Sequence, residues 1–272
     1  SESGKNANRY HSDLDWHYAD ATSDVTVQNG GTFELGSHAR LTGDITVEQG
    51  GTFLMREGVQ HAQEYVEGSS TLMNTDIVSA FFGHKGNVSL ASGATMRVEY
   101  GSGVTANNTY SGNITGSGNV EIDLGSADAR FTLAGKNTFS GTKTLDEGLL
   151  IGANVAALGN VGESGWLIGS AGTLQVDSGL TAANALGLVH ADSTGTLSLT
   201  ENMGALNMSG HTGLFIGAAE GQTIQYGTAE ESISPAGGKY NLGGGGGELV
   251  VNAALTGGGN LVLGNGQGLG GI

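Results

Sequence analysis

Hydrophobic and polar residues alternate along this chain in short runs that are interrupted by pairs of glycine. The run VTVQNGGTFELG, from Val25 to Gly36, returns as ITVEQGGTFLMR from Ile45 to Arg56, 20 residues later. Alternation with a period of two predicts β-strands, and a glycine pair between two such runs predicts a bend. A two-residue hairpin would account for one copy, but it does not explain why nearly the same segment recurs 20 residues later.

Looser copies of the second half of this motif continue along the chain. The segments ATMRV, GTLQV and GTLSL occupy Ala94–Val98, Gly172–Val176 and Gly195–Leu199. The first of them extends upstream, so that Val88 and Leu90 take the places of Val25 and Val27 at an offset of 63 residues, which corresponds to about three periods. Repeats of about 20–25 residues that contain only strand and turn signals are typical of a solenoid.

The predicted fold is therefore all-β, a right-handed parallel β-helix of roughly a dozen turns with about 20–22 residues in each. Equivalent residues of successive turns then stack about 4.8 Å apart, which predicts internal ladders such as Phe33 over Phe53. The 51 glycines suit bends and closely spaced turns, and the single proline suits strands that need every N–H group. We expect residues 1–24 to form an N-terminal cap or lead-in and residues 25–272 to form one β-helix domain.

The segment from Glu57 to Gly86 interrupts the repeat. It contains the stretch of the chain that is poorest in glycine. We interpret residues 57–86 as an excursion from one turn, with a possible short helix around Val59–Val66. Excursions from a rigid scaffold are common places for binding function. The alternative is a divergent turn or loop that packs on its own Phe81 and Phe82.

The composition of the chain excludes several kinds of partner and chemistry. The formal net charge is −16, with 26 Asp and Glu against 10 Lys and Arg, so few groups are present to neutralise the phosphates of a nucleic acid. The chain has no Cys, which excludes a disulfide framework and thiolate chemistry. It also lacks an apolar run of about 18 residues, so we expect no direct membrane insertion of this segment.

One segment carries a more specific signature. The sequence FTLAGKNTFSGTKTLDEGLLIG, from Phe131 to Gly152, resembles the autotransporter-associated β-strand repeat, in which a strand, a Gly-x-Asn-Thr-aromatic-Ser-Gly element and two further short strands follow one another. The matching positions are Gly135, Asn137, Thr138, Phe139, Ser140, Gly141, Leu145, Gly148 and Leu149. Flanking segments similar to parts of such units are GSGNVEIDL at Gly116–Leu124, NVAALG at Asn154–Gly159 and LTGGGNLVLGNGQG at Leu255–Gly268.

This resemblance implies the passenger region of a Gram-negative autotransporter, a protein of the type V secretion class. Such passengers are exported through the outer membrane by a C-terminal β-barrel and stay at the cell surface or are secreted. The ending GNGQGLGGI lacks amphipathic strands, so we expect that the barrel is absent and that this chain is a passenger segment.

Several short motifs contain residue types that can serve in catalysis or metal binding. The order His, Asp, Ser in HADS, from His190 to Ser193, is too compact for a protease triad, whose members come from separated elements. GESGW, from Gly162 to Trp166, matches a nucleophile elbow only when it is shifted. In HSDLDWHYAD a metal site could use His11, Asp13, Asp15 and His17, although a polar cap is the favoured interpretation. His61 and Glu64 share a face only if that segment is helical.

A polysaccharide-degrading β-helix enzyme would need carboxylates that converge on one sheet face. The candidate outward acids are Glu34, Glu99, Glu121, Asp123, Asp177 and Glu248. Because they are scattered along an acidic chain, the sequence assigns no catalytic, cofactor-binding or metal-binding residues. Four Asn-x-Ser/Thr sequons, expected to serve as turns, lie at Asn87, Asn107, Asn113 and Asn207.

The resulting hypothesis is a non-catalytic bacterial surface passenger that acts in adhesion or self-association, as in autoaggregation, biofilm formation and virulence. Its partner would be a host surface or matrix ligand, or a second copy on a neighbouring cell, and no cofactor is expected. Two alternatives stay open at this point. One is a polysaccharide-degrading β-helix enzyme, and the other is a stalk that presents a separate N-terminal module.

Overall fold

A computed structural model of the chain describes residues 19–36, 39–57, 61–64, 73–76, 83–160 and 164–264. Over these residues the protein is an all-β solenoid of about nine turns of parallel strands with almost no helix. The predicted fold class is confirmed. The turns are fewer than the predicted dozen because one of them holds a long insertion and others exceed 22 residues, such as the 25-residue step from Thr223 to its neighbour Glu248.

The first two turns repeat one pattern of three short strands. They consist of β1 (Ala19–Ala21), β2 (Val25–Val27), β3 (Thr32–Leu35), β4 (Ala39–Leu41), β5 (Ile45–Val47) and β6 (Thr52–Glu57). The alternating runs of the sequence supply β2, β3, β5 and β6, and the glycine pairs lie at the bends between them.

The predicted excursion contains a β-hairpin. Strands β7 (His61–Glu64) and β8 (Met73–Asp76) pair antiparallel, with His61 opposite Asp76. The predicted short helix around Val59–Val66 is therefore wrong over residues 61–64, where the backbone is extended. Parallel stacking resumes at β9 (Gly83–His84), which pairs with β4.

The middle of the chain continues the stack. Its strands are β10 (Val88–Leu90), β11 (Thr95–Tyr100), β12 (Asn107–Tyr110), β13 (Ile114–Gly116), β14 (Asn119–Asp123), β15 (Arg130–Leu133) and β16 (Lys143–Gly152). The predicted repeat unit thus spans β15 and β16. Its Asn137 side chain accepts a hydrogen bond from the N–H of Ile114 at 2.7 Å and donates one to the carbonyl of Ala157 at 2.5 Å, which connects three turns.

The remaining elements complete the described chain. They are the 3₁₀ helices η1 (Val155–Leu158), η2 (Leu186–Leu188) and η3 (Met208–Gly210), and the strands β17 (Leu167–Val176), β18 (Thr196–Leu199), β19 (Phe215–Ala218), β20 (Thr223–Tyr226), β21 (Ser232–Ile233), β22 (Lys239–Leu242), β23 (Glu248–Val251), β24 (Ala254–Leu255) and β25 (Asn260–Leu263).

One sheet extends along most of the solenoid. It has 12 strands, with the central order β25-β22-β19-β18-β17-β16-β14-β11-β6-β3, and β12 and β15 join it through β16. A second sheet stacks β13-β10-β5-β2 and a third stacks β1-β4-β9. At the usual strand separation of about 4.8 Å, nine turns make a rod on the order of 40 Å long.

The core consists of ladders of inward residues, in the register that the sequence repeat predicts. Val25 lies beside Ile45, and Phe33 lies beside Phe53 with ring centroids 5.9 Å apart in a stacked arrangement. The ladder that starts at Leu35 continues through Met55 and further apolar residues, all of them buried: Val98, Ile122, Leu145 and Ile168. Each such side chain contributes about 1.5–3 kcal/mol by leaving water.

The predicted offset of three periods between Val25 and Val88 is wrong. Val88 pairs directly with Ile45, which pairs with Val25, so the three residues lie on successive turns. The hairpin lies within the turn between Ile45 and Val88, and partners such as Arg56 and Glu99 are consequently 43 residues apart. Because the insertion is about one repeat long, it gives the same sequence spacing as an extra turn.

Polar side chains also form a ladder, at the bend before the second sheet. Asp24 Oδ1 accepts a hydrogen bond from the N–H of Asp44, whose own Oδ1 accepts from the N–H of Asn87. The side-chain oxygen of Asn87 then accepts from the N–H of Asn113, and that of Asn113 from Lys136. Each side chain satisfies a backbone donor of the next turn at a position where the strands are interrupted.

A glycine-rich loop covers part of the outer face of the long sheet. Strand β18 is buried on both sides, including Ser198. The backbone of residues 243–247 lies against it, since a Cβ on Gly245 would lie 2.6 Å from Ser198 Oγ and 2.2 Å from the carbonyl oxygen of Ala218. A side chain at Gly217 would likewise meet the N atom of Gly245 at 2.5 Å. The run of five glycines therefore permits backbone to pack directly on backbone.

Among the residues that the structure describes, no helix has the length and hydropathy needed to cross a membrane.

Candidate functional site

The HADS segment does not form a catalytic centre. Ser193 is fully buried, and its hydroxyl donates to the carbonyl of Trp166 at 3.1 Å and accepts from the N–H of Ile168 at 3.0 Å. His190 Nδ1 accepts from the N–H of Asp192 at 3.2 Å. Because the serine hydroxyl is already engaged by two backbone groups, its role is to join adjacent turns.

The other three candidates form no site within the residues that the structure describes. In GESGW, residues 162 and 163 lie outside the described residues, and Trp166 is a core residue whose indole N–H donates to the carbonyl of Leu158. The motif with His11, Asp13, Asp15 and His17, for which a polar cap is the favoured interpretation and a metal site the alternative, also lies outside them. His61 and Glu64 belong to a strand, so the helical arrangement considered for them does not occur. Within the described ranges, no group of three or more His, Asp or Glu is arranged to hold a metal ion.

Four of the six candidate acids do come together. Register places Glu34 on β3, Glu99 on β11 and both Glu121 and Asp123 on β14 along the outward side of the long sheet. Two arginines and one further acid lie on the same side. We call this surface the charged face, and it comprises Glu34, Arg56, Arg97, Glu99, Glu121, Asp123 and Asp146. Asp177 and Glu248 lie on later turns.

Ion pairs hold the first part of the charged face in place. Arg56 lies 3.2 Å from Glu34 on one neighbouring strand and 3.4 Å from Glu99 on the other. Arg97 lies 3.5 Å from the same Glu99 carboxylate. The exposed fractions of these side chains range from 32% to 45%, so each pair contributes little to stability, about 0–1 kcal/mol. Their main effect is to fix the side chains in a regular array.

Asp146 marks an irregular position on the charged face. The pairing register between β16 and β17 shifts here, because β17 has two residues between Ile168 and Ala171 where β16 has only Asp146, so β17 bulges opposite Asp146. Bulges redirect side chains and are frequent beside active sites. Partial burial of the carboxyl raises the pKa of Asp146, and repulsion from Asp123 adds to this effect while Arg97 opposes it. The residue as a whole remains exposed, so solvent screens these interactions.

In three of the four sequons the asparagine side chain hydrogen-bonds to the backbone at a bend or a helix end. Asn87 and Asn113 belong to the polar ladder at the bend before the second sheet. Asn207 caps the 3₁₀ helix η3 through a bond from the N–H of Ser209. Asn107 is exposed on β12. The prediction that these residues act as turns holds in this sense for Asn87, Asn113 and Asn207, whereas Asn107 is a strand residue.

An open groove of about 600 Å³ lies farther along the solenoid, and we call it the amide groove. It is lined mainly by Asn202, Met203, Gly204, Gln225, Thr228 and Asn252. Its three amide side chains come from three successive turns. Asn202 Oδ1 accepts from the N–H of Gln225 at 2.8 Å, and Asn252 Nδ2 donates to Gln225 Oε1 at 2.7 Å.

Sequence reasoning missed the amide groove and part of the charged face. Asn202, Gln225 and Asn252 are separated by 23 and 27 residues, and no repeat of the motif aligns them. Arg56 and Arg97 were visible in the copies ITVEQGGTFLMR and ATMRV, at the polar positions of alternating runs. The alternation could have placed both on the outward side. The same alternation places Asp146 outward, next to the buried Leu145.

Neither a scan against protein-family models nor searches of curated proteins and of solved structures found a match for this chain.

Proposed function

We propose that this chain is a non-catalytic passenger segment of a bacterial surface protein and that it acts by adhesion or self-association. In this proposal it is exported through the outer membrane, as the repeat at residues 131–152 suggests by its resemblance to autotransporter units. Its flanks then contact a host surface or matrix ligand, or the flanks of a second copy on a neighbouring cell.

The observation that supports the proposal best is the regular polar array on the charged face. Arg56 joins Glu34 and Glu99 across three adjacent strands, so charged side chains repeat at the strand spacing on a rigid sheet. Ordered polar side chains lose little conformational entropy when a partner binds, which favours lateral contacts.

Coated beads test this proposal directly. Beads that carry the protein should clump with one another or bind to cultured host cells, whereas beads that carry serum albumin should do neither. Arg56→Glu removes the central cation of the charged face and should reduce the clumping of beads with one another. The matched control is Lys136→Glu, because Lys136 is exposed and lies away from that face. Beads that neither clump nor bind cells would overturn the proposal.

A second candidate function is cleavage of an acidic or neutral polysaccharide on the charged face. Asp146 opposite the bulge of β17, with a raised pKa and with Asp123 nearby, is the arrangement that favours it. In this reaction Asp146 would act as the proton donor or acceptor and Arg97 would bind the substrate. Incubation with a panel of polysaccharides should then release new reducing or unsaturated ends, and Asp146→Asn should abolish that release. The absence of product from every polysaccharide would reject this candidate.

A further inference from the structure

We propose that the amide groove binds a neutral saccharide, and that this is the ligand class recognised when the protein acts in adhesion. This inference rests on the proposed adhesive function. It arises from the groove alone and does not involve the charged face. Three properties of the groove support it. Its lining residues carry no charge, its side chains have free hydrogen-bonding groups, and its floor combines paired backbone groups with an apolar contact.

The groove is neutral although the protein is strongly acidic. No ionisable side chain is among the residues that line it, all of which belong to the described range 164–264. The carboxylate of the neighbouring Glu231 is engaged in two hydrogen bonds. Its Oε2 accepts from the N–H of Thr228 at 2.8 Å and from the N–H of Ala205 at 3.1 Å. Those two bonds fix the walls of the groove on either side. An anionic ligand would find no counter-charge among the lining residues, and the neighbouring Glu231 carboxylate would repel it.

The amides have hydrogen-bonding capacity beyond the ladder that they form. Within residues 164–264, the Nδ2 group of Asn202, the Nε2 group of Gln225 and the Oδ1 atom of Asn252 have no protein partner, and neither does the hydroxyl of Thr228. The groove therefore presents both donors and acceptors. Saccharide hydroxyls donate and accept at once, so a row of them is complementary to such a surface.

The floor of the groove disfavours an extended peptide. Met203 N–H donates to the carbonyl of Gln225, and Gly227 N–H donates to the carbonyl of Met203. The N–H of Asn252 is likewise bonded to Tyr226. A peptide that adds as a strand needs unpaired backbone groups at an edge, and these are already paired. Ala229 is exposed beside the nearly buried Met203, and it offers an apolar contact for the C–H face of a sugar ring.

An array of neutral, sialylated and sulfated oligosaccharides tests the proposal. The wild-type protein should bind a subset of the neutral glycans, and Asn252→Ala should weaken that binding by about tenfold, the effect of losing one or two hydrogen bonds. Asn107→Ala is the matched control, because Asn107 is an exposed asparagine on β12, outside the groove. Binding should change less than about twofold between roughly 50 and 500 mM salt, since no charges meet. Thermal unfolding of each variant checks that it is folded.

The outcomes separate this inference from the proposed function. Binding of neutral glycans that Asn252→Ala leaves unchanged would overturn the groove as the site, and the adhesive function would stand. Binding confined to sialylated or sulfated glycans, or no binding at millimolar glycan concentration, would overturn the ligand class. Failure of adhesion itself would instead appear in the bead and host-cell assay, which requires no knowledge of the ligand.

Discussion

At the scale of single residues, the fold depends on side chains that meet their counterparts of the next turn. The apolar ladders fill the interior, and the ladder of Asp24, Asp44, Asn87 and Asn113 satisfies backbone donors at a bend. The two kinds of ladder differ in what a substitution removes. In the interior it removes packing, and at the bend it removes hydrogen bonds.

The Phe33/Phe53 ladder provides the test for the interior. Phe53 is fully buried and stacks on Phe33. Phe53→Asp would bury an unpaired carboxylate and should lower the free energy of unfolding by several kcal/mol, roughly 3–5. Phe53→Leu keeps the residue apolar and should cost about 1–2 kcal/mol. Urea unfolding followed by circular dichroism measures both values. Equal midpoints for Phe53→Asp and the wild type would show that this ladder is not internal.

Asp44 provides the test for the bend. Its Oδ1 accepts from the backbone and side-chain N–H groups of Asn87. Asp44→Ala removes this acceptor and should destabilise the protein by about 1 kcal/mol. Asp44→Asn retains an acceptor and removes the repulsion between two stacked carboxylates, so its stability should be within about 0.5 kcal/mol of the wild type or higher. A larger loss for Asp44→Asn than for Asp44→Ala would contradict this account of the ladder.

Three buried tyrosines make stability dependent on alkaline pH. Burial raises the pKa of Tyr226 to about 12, and it raises the pKa of Tyr100 and Tyr110 as well. Above a pH of about 10 the unfolded chain loses these protons while the folded protein keeps them, so stability falls as pH rises. Lys143 acts in the opposite direction, since burial lowers its pKa, but it is one group against three.

The expected loss is measurable. Tyr226 alone should contribute about 3 kcal/mol of lost stability once the pH exceeds 12. Urea midpoints at a series of pH values from about 8 to 12 should therefore decrease above pH 10, together with tyrosinate absorbance in the unfolded state. Tyr226→Phe should make this decrease shallower. A midpoint that stays constant or rises over that range would contradict the assignment.

At the scale of elements, the solenoid tolerates a local departure from its repeat. The hairpin of β7 and β8 lies between β6 and β9, and both of those strands pair with their neighbours of the adjacent turns. Residues 58–82 are thus not needed to connect the described ladders. Whether the segment from Glu57 to Gly86 binds a partner remains a prediction.

Replacement of residues 58–82 by a short Gly-Ser link tests this interpretation. The strands on either side keep their parallel partners, so the far-ultraviolet β signal and most of the stability should persist. A deletion that keeps the fold but loses adhesion would identify the hairpin segment as a binding element. A collapse of the fold would show that the segment is a structural turn and would remove it as a binding site.

The doublet at Val25 and Ile45 predicts the fold because neighbouring turns with matched residues must stack in register, and the structure has this pairing. Val88 was misplaced because sequence spacing alone does not distinguish an inserted hairpin from an extra turn. The sequence could not predict that Glu34 and Glu99 both meet Arg56. Their strands become neighbours only when the hairpin is recognised as an insertion within one turn. The amide groove depends on unequal turn lengths, which leave no periodic signal.

At the scale of the whole molecule, the proposed self-association would use the flanks of the solenoid. With 26 carboxylates against 10 basic groups and a net charge of −16, two copies repel at long range. In the proposed self-association, short-range polar contacts and bridging waters would supply the attraction between flanks. Self-association should therefore be weak at low ionic strength and should respond to any condition that reduces the charge.

Sedimentation of the purified protein tests the central claim most directly. The account predicts a sedimentation coefficient that increases with concentration, increases further as salt screens the charge, and increases again as the pH approaches the isoelectric point of about 4.6. A basic interaction site would give the reverse, with association lost as salt is added. Strictly monomeric sedimentation at high concentration across the full salt and pH series would contradict association through the flanks and would leave binding to a host ligand, or a plain stalk, as the remaining role.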